Sequence, residues 1–109
     1  MIQEGIIRQT CFICGYRTLE NRCDWDICPI CFWEDDVFVS QHDESSPANK
    51  MSVSVAQANF IRLGAISQEV LPHVRKPCLE DQRDLAWKPL QKTLELLGCE
   101  VNITDTFTA

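Results

Sequence analysis

The sequence predicts a small α+β domain, in which an N-terminal ribbon of two cysteine knuckles and short antiparallel strands packs against C-terminal helices. Three observations carry this expectation. Two Cys-x2-Cys pairs, Cys11/Cys14 and Cys28/Cys31, stand thirteen residues apart. Between them, apolar and polar residues alternate with the period of two that marks a half-buried strand. Beyond residue 50 the apolar residues recur instead at helical spacing. The 109 residues fit one domain: ribbon over 1–40, loop over 41–51, helical part over 52–98 and tail over 99–109.

The knuckle spacing is close to that of a four-cysteine zinc site. Zinc binds four thiolates tetrahedrally, with Zn–S near 2.3 Å, so the sulfurs must converge to about 4 Å of one another. A Cys-x2-Cys turn lets both sulfurs of a pair point inward. Gly15 suits the tight turn after Cys14, because glycine accepts positive φ. Pro29 stiffens the second turn by fixing its own φ. The expected ligands of one structural zinc are therefore Cys11, Cys14, Cys28 and Cys31. Buried thiols or disulfides are the plainer alternative, but seven cysteines cannot all pair within the chain. A thioredoxin-like redox pair belongs near a βαβ pattern, and none is visible.

Ile2, Ile6, Ile7 and Thr10 suggest a short strand over 2–10 that leads into the first knuckle. Tyr16, Thr18 and Leu19 favour a second strand, and Glu20-Asn21-Arg22 reads as its turn. Cys23, Trp25 and Ile27 alternate with Asp24 and Asp26, which turns the three apolar side chains towards the core. Phe32 is expected to pack on the metal core, whereas Trp33 fits either the core or an interface. Glu34, Asp35 and Asp36 are expected to stand exposed; three adjacent acids cannot all face one ion as a second metal site. Val37-Phe38-Val39 is a short apolar run, and residues 41–50 form a polar loop in which His42 is read as solvated.

A first helix starts at Ser52 or Ser54, capped from Asn49 or Ser52. Ser54 and Gln57 have capping-box spacing. Val53, Ala56, Phe60 and Leu63, with Ile61 beside them, form the apolar face, and Gly64 supplies a left-handed stop. A short turn over 67–73 is expected to turn Val70 and Leu71 inward. His73, Arg75 and Lys76 make a small basic spot that closes an internal salt bridge or remains open. The last helix is expected over 89–97, with Pro89 first, Leu90, Leu94 and Leu97 on one face, and Gly98 just past its end. Leu85 and Trp87 are expected to pack on the first helix. Cys78 and Cys99, isolated from other ligand types, are read as buried thiols, and residues 102–109 as a fraying tail.

Residues 28–36, CPICFWEDD, resemble the signature of a bacterial family named for its cysteine-rich CPCC motif. The resemblance continues through SPANK at 46–50, SVSVAQANFIRLGA at 52–65 and HVRKP at 73–77. It runs from about residue 10 to 77. At the first knuckle the family's CPCC-G reads Cys11-Phe12-Ile13-Cys14-Gly15. The outer cysteines are kept, and Ile13 replaces the middle one, so position 13 is no ligand here. The resemblance implies a small zinc-binding protein of no established reaction, and a modest expectation of a place beside toxin genes.

Charge bears on partners. The formal net charge is −6, and between Glu20 and Glu44 the only Lys or Arg is Arg22. A zinc with four thiolates adds two more negative charges. Nucleic acid needs a basic face to neutralise phosphate, so neither DNA nor RNA is the expected partner. An acidic face instead steers basic proteins. The start of the chain lacks a basic stretch followed by an apolar run, and no segment has the length to span a bilayer; the expectation is a cytosolic location, where thiols stay reduced. Four cysteines leave no open position for catalysis on the metal. Only His42 and His73 offer imidazole bases, and a lone pair such as Cys78 or Cys99 with His73 is weak support for an enzyme.

The sequence thus points to a non-enzymatic, zinc-stabilised protein-binding module, most sharply an immunity protein that neutralises a cognate toxin by direct binding. The alternative is a zinc-ribbon adaptor or regulatory protein in transcription or translation. The expected partner-binding face carries Trp33, Glu34, Asp35 and Asp36.

Overall fold

The computed structural model describes residues 8–22, 24–36 and 45–98. Strand β1, Gln9–Thr10, pairs antiparallel with β2, Arg17–Leu19, with Gln9 opposite Leu19 and Thr10 opposite Arg17. Two residues of β1 therefore oppose three of β2, a bulge that leaves Thr18 as the extra residue. The first knuckle is the connection between these strands. The other side of β2 is covered by a segment the sequence did not mark. The Arg17 amide donates to the Gln82 carbonyl at 2.9 Å, and the Asp84 amide donates to the Gly15 carbonyl at 2.8 Å.

The second knuckle closes a narrower ribbon, in which Ile27 forms an antiparallel bridge with Glu34. Among the described residues of the expected strand, 24–27, no strand forms. Trp25 has φ of 60°, which breaks the alternation. Trp25 and Ile27 are 49% and 48% exposed, so neither lies in the core. Trp33 takes that place with 0% exposure, among Ile13, Leu19, Ile30, Val53 and Ala56.

Helix α1, Val53–Leu63, begins at Ser52, whose hydroxyl accepts the Val55 amide. Ser54 is buried and is not the cap. The helix stops at Gly64, whose φ of 92° lets its amide reach back to the Phe60 carbonyl. Val53 and Ala56 are buried and Phe60 packs beside the core, but Ile61 and Leu63 are exposed. Asn49 has a different task from capping. Its side-chain amide donates to the Glu34 carbonyl and accepts from the Glu34 amide, as a neighbouring strand would.

A 3-10 helix, Gln68–His73, follows; Val70 packs against the core and Leu71 is exposed. Helix α2 spans Gln91–Leu96, with Pro89 just before it. It leaves through Leu97 in right-handed conformation, and Gly98 does not take up positive φ. Its fully buried residue is Thr93 rather than a leucine; Leu90 is exposed. The Thr93 hydroxyl donates to Gln57 Oε1 and lies 3.3 Å from the Ser54 carbonyl. Gln57 Oε1 also accepts the Leu90 amide. The α1–α2 contact is thus a satisfied polar network, and Gln57 is its centre rather than part of a capping box. Leu85 and Cys78 are exposed, against expectation. The strand over 2–7, Cys23, Val37-Phe38-Val39, His42, Cys99 and the tail over 102–109 lie outside the described residues.

Candidate metal centre

The two knuckles share one hydrogen-bond pattern. In the first, the Gly15 amide donates to the Cys11 carbonyl at 2.9 Å, and the Cys11 amide donates to the Tyr16 carbonyl at 2.9 Å. In the second, the Phe32 amide donates to the Cys28 carbonyl at 2.8 Å, and the Cys28 amide donates to the Trp33 carbonyl at 2.9 Å. Each turn needs a left-handed residue at its fifth position: Gly15 with φ of 82° and Phe32 with φ of 75°. Glycine is required in the first because Trp87 lies against the bare Cα; a Cβ there would sit 2.7 Å from Trp87 Cε3. Phe32, half-buried, places its ring 5.5 Å from that of His73.

This geometry brings the four predicted cysteines together. Their sulfurs all lie within 4.8 Å of one another, and all four residues are buried. Across the knuckles, Cys11 Sγ is 3.6 Å from Cys31 Sγ, and Cys14 Sγ is 3.7 Å from Cys28 Sγ. Four convergent thiol donors without intervening side chains form a cage that a tetrahedrally coordinated metal ion fits. Ile13, in place of the family's middle cysteine, is fully buried and packs in the core.

The cage has an outer layer. Thr18, the bulged residue of β2, donates through Oγ1 to Cys28 Sγ at 3.1 Å, and the Ile30 amide does so at 3.4 Å. Hydrogen bonds from Cys11 above all, then Cys14, Cys31 and Thr18, hold the Cys28 thiol far below its ordinary range. Burial pushes Cys11 and Cys31 the other way. A bound cation would favour the thiolate form of all four. Phe12 ties the first knuckle to the helical part, its carbonyl accepting from Trp87 Nε1 at 2.7 Å and Gln57 Nε2 at 2.8 Å. The Ile66 amide ties the exit of α1 to the Cys31 carbonyl at 3.0 Å.

The expected exposure of Glu34, Asp35 and Asp36 is corrected. Trp33, Asp35 and Asp36 are buried and Glu34 is half-buried. Asp35 receives Arg22 Nε at 2.9 Å and Nη2 at 3.3 Å, and the Arg22 guanidinium lies 3.8 Å from the Phe12 ring centre. Asp36 accepts from the Ser46 hydroxyl at 3.1 Å and the Ala48 amide at 3.2 Å. These acids fasten the ribbon to its surroundings. The only sequence signal for this was the single arginine among the acids, which pairs with Asp35. The basic spot is closed internally by Arg75, whose guanidinium clasps Asp81 at 2.8 and 2.9 Å.

The family described as cysteine-rich CPCC matches the chain over residues 9–81, a range that includes both knuckles and α1 and ends just before the segment that covers β2. No curated protein and no solved structure matches it. Among the described residues, no helix is long and apolar enough to cross a membrane.

Proposed function

The chain belongs to the cysteine-rich CPCC family, and from that premise we propose that it is a zinc-stabilised, non-catalytic protein-binding module, acting as an immunity protein that binds and neutralises a cognate toxin. The observation that carries the reading is the closed cage of four buried thiols. A regular tetrahedron with Zn–S near 2.3 Å has edges of about 3.8 Å. The cross-knuckle sulfur separations of 3.6 and 3.7 Å match it. Zinc bound there would supply folding free energy by joining the two knuckles. All four positions would be filled by protein, which favours a structural role over activation of a water.

The net charge of −6 supports a basic protein as partner rather than a nucleic acid. A toxin that acts on nucleic acid has such a basic surface. The test is co-expression with the protein encoded immediately upstream. Restored growth together with a stable complex of the two chains supports the immunity reading. Undiminished toxicity, or a harmless neighbour that does not bind, contradicts it.

A further inference from the structure

Trp33, Asp35 and Asp36 are buried and offer little surface to a partner. We propose that the turn at residues 24–27, which displays Trp25 and Ile27 beside Glu20, is the surface that receives a basic protein partner; the proposal rests on the protein-binding reading above. Single exposed apolar residues are common on any surface. Here two in one short turn are half exposed, and the larger is held in a conformation that costs free energy. Left-handed backbone is costly for a residue with a Cβ, and Trp25 has no place in the core that would offset it. Strain that the surroundings maintain marks positions where function holds a side chain in place.

Four hydrogen bonds hold Trp25 out. Its amide donates to the Asp35 carbonyl at 3.0 Å, and the Asp35 amide donates to the Asp26 carbonyl at 2.9 Å. Asp26 Oδ2 accepts the amides of Glu20 and Asn21, each at 3.0 Å, which closes the loop behind the tryptophan. Asp35 itself is clasped by Arg22. A large aromatic fixed in this way loses little freedom on binding, and tryptophan is enriched among the residues that dominate interface energy.

The surroundings set the partner's charge. Arg22 is drawn inward to Asp35 and Phe12, while Asp24 is exposed and the Glu20 side chain is 73% exposed. A notch of about 300 Å³ opens beside Ile27, lined also by Arg8, Thr18, Glu20 and Asp26. It suits a lysine or arginine whose stem lies on Ile27 and whose head meets Glu20. The Arg8–Glu20 pair, exposed and 3.4 Å long, is weak enough for such a cation to displace. The partner is thus a protein surface with an apolar socket rimmed by lysine or arginine.

The test uses the full metal-loaded chain, labelled with ¹⁵N, and two probes: a short Lys/Leu/Phe peptide and its Glu-for-Lys counterpart. The basic peptide is expected to shift the Trp25 indole and Ile27 amide resonances, more weakly as salt rises, and the acidic peptide to leave them in place. Trp25→Asn, which tolerates left-handed backbone, should lower affinity about tenfold while the melting temperature holds or rises. Ile27→Ser should weaken binding without that gain. Shifts confined to other residues, equal binding of the acidic peptide, or a Trp25→Asn protein that binds as tightly as the parent would overturn this surface and leave the protein-binding reading standing. No shift anywhere with either peptide counts against both.

Discussion

Gly15 and Phe32 hold equivalent places in the two knuckles: each donates its amide to the first cysteine's carbonyl, at 2.9 and 2.8 Å, from a left-handed backbone. The same turn is thus built once with the residue that adopts it freely and once with one that does not. At Gly15 there is no room for a side chain, because Trp87 covers the Cα. At Phe32 the side chain is stacked against His73, which recovers part of the cost of the conformation.

The two sites should therefore respond in opposite ways. Gly15→Ala combines positive φ with a Cβ 2.7 Å from Trp87 Cε3, and a loss of about 2–4 kcal/mol is expected. Phe32→Gly removes the strain along with the ring contact, so a change within about 1 kcal/mol is expected. Urea denaturation of both variants checks this; a Gly15→Ala protein as stable as the parent would show that Trp87 does not seat there.

What the sequence made legible was local. The knuckles, Thr18 and Leu19 of β2, the cap at Ser52 and the stop at Gly64 each depend on neighbours within a few positions, and each stands where expected. The misplaced residues depend on partners far along the chain or on a single dihedral. Alternation puts Trp25 inside only if the backbone stays extended, and φ of 60° at Trp25 itself ends that. Asp35 reads as solvated until Arg22 is brought over it, and Trp87 reads as a helix-packing residue until Gly15 is found beneath it. In α2 the leucine stripe suggested an apolar seam, but Gln57 reaches across and selects Thr93 instead.

Asp35 is expected to be a stability residue. Asp35→Ala leaves the partly buried Arg22 without its carboxylate. Breaking such a pair costs about 3 kcal/mol. Replacing Glu34, Asp35 and Asp36 together with Ser should therefore lower the melting temperature markedly. An unchanged thermal transition in either variant would contradict the assignment of Asp35 to the interior.

Acid should loosen the C-terminal segment first. Arg75, with help from the Cys78 amide, holds the Asp81 carboxyl well below the usual carboxylate range. Thr10 first, then the Ala86 amide, lowers Asp84. A depressed folded-state pKa means stabilisation that is complete above the ordinary carboxylate value of about 4 and is lost as pH falls through the lower folded value. Melting temperature should thus fall below about pH 4, and Asp81→Asn should flatten that fall. An identical acid limb in parent and Asp81→Asn would show that the clasp carries no such linkage.

The central claim is that one zinc on Cys11, Cys14, Cys28 and Cys31 joins the two knuckles, and metal content by native mass spectrometry tests it most directly. Protein purified under reducing conditions should carry one zinc per chain. The double variant Cys11→Ser/Cys14→Ser should carry none and lose its cooperative thermal transition, because the metal's binding energy is part of the folding energy. A full equivalent of zinc retained in that double variant, or a reduced parent protein that folds cooperatively and takes up no zinc, would contradict the account.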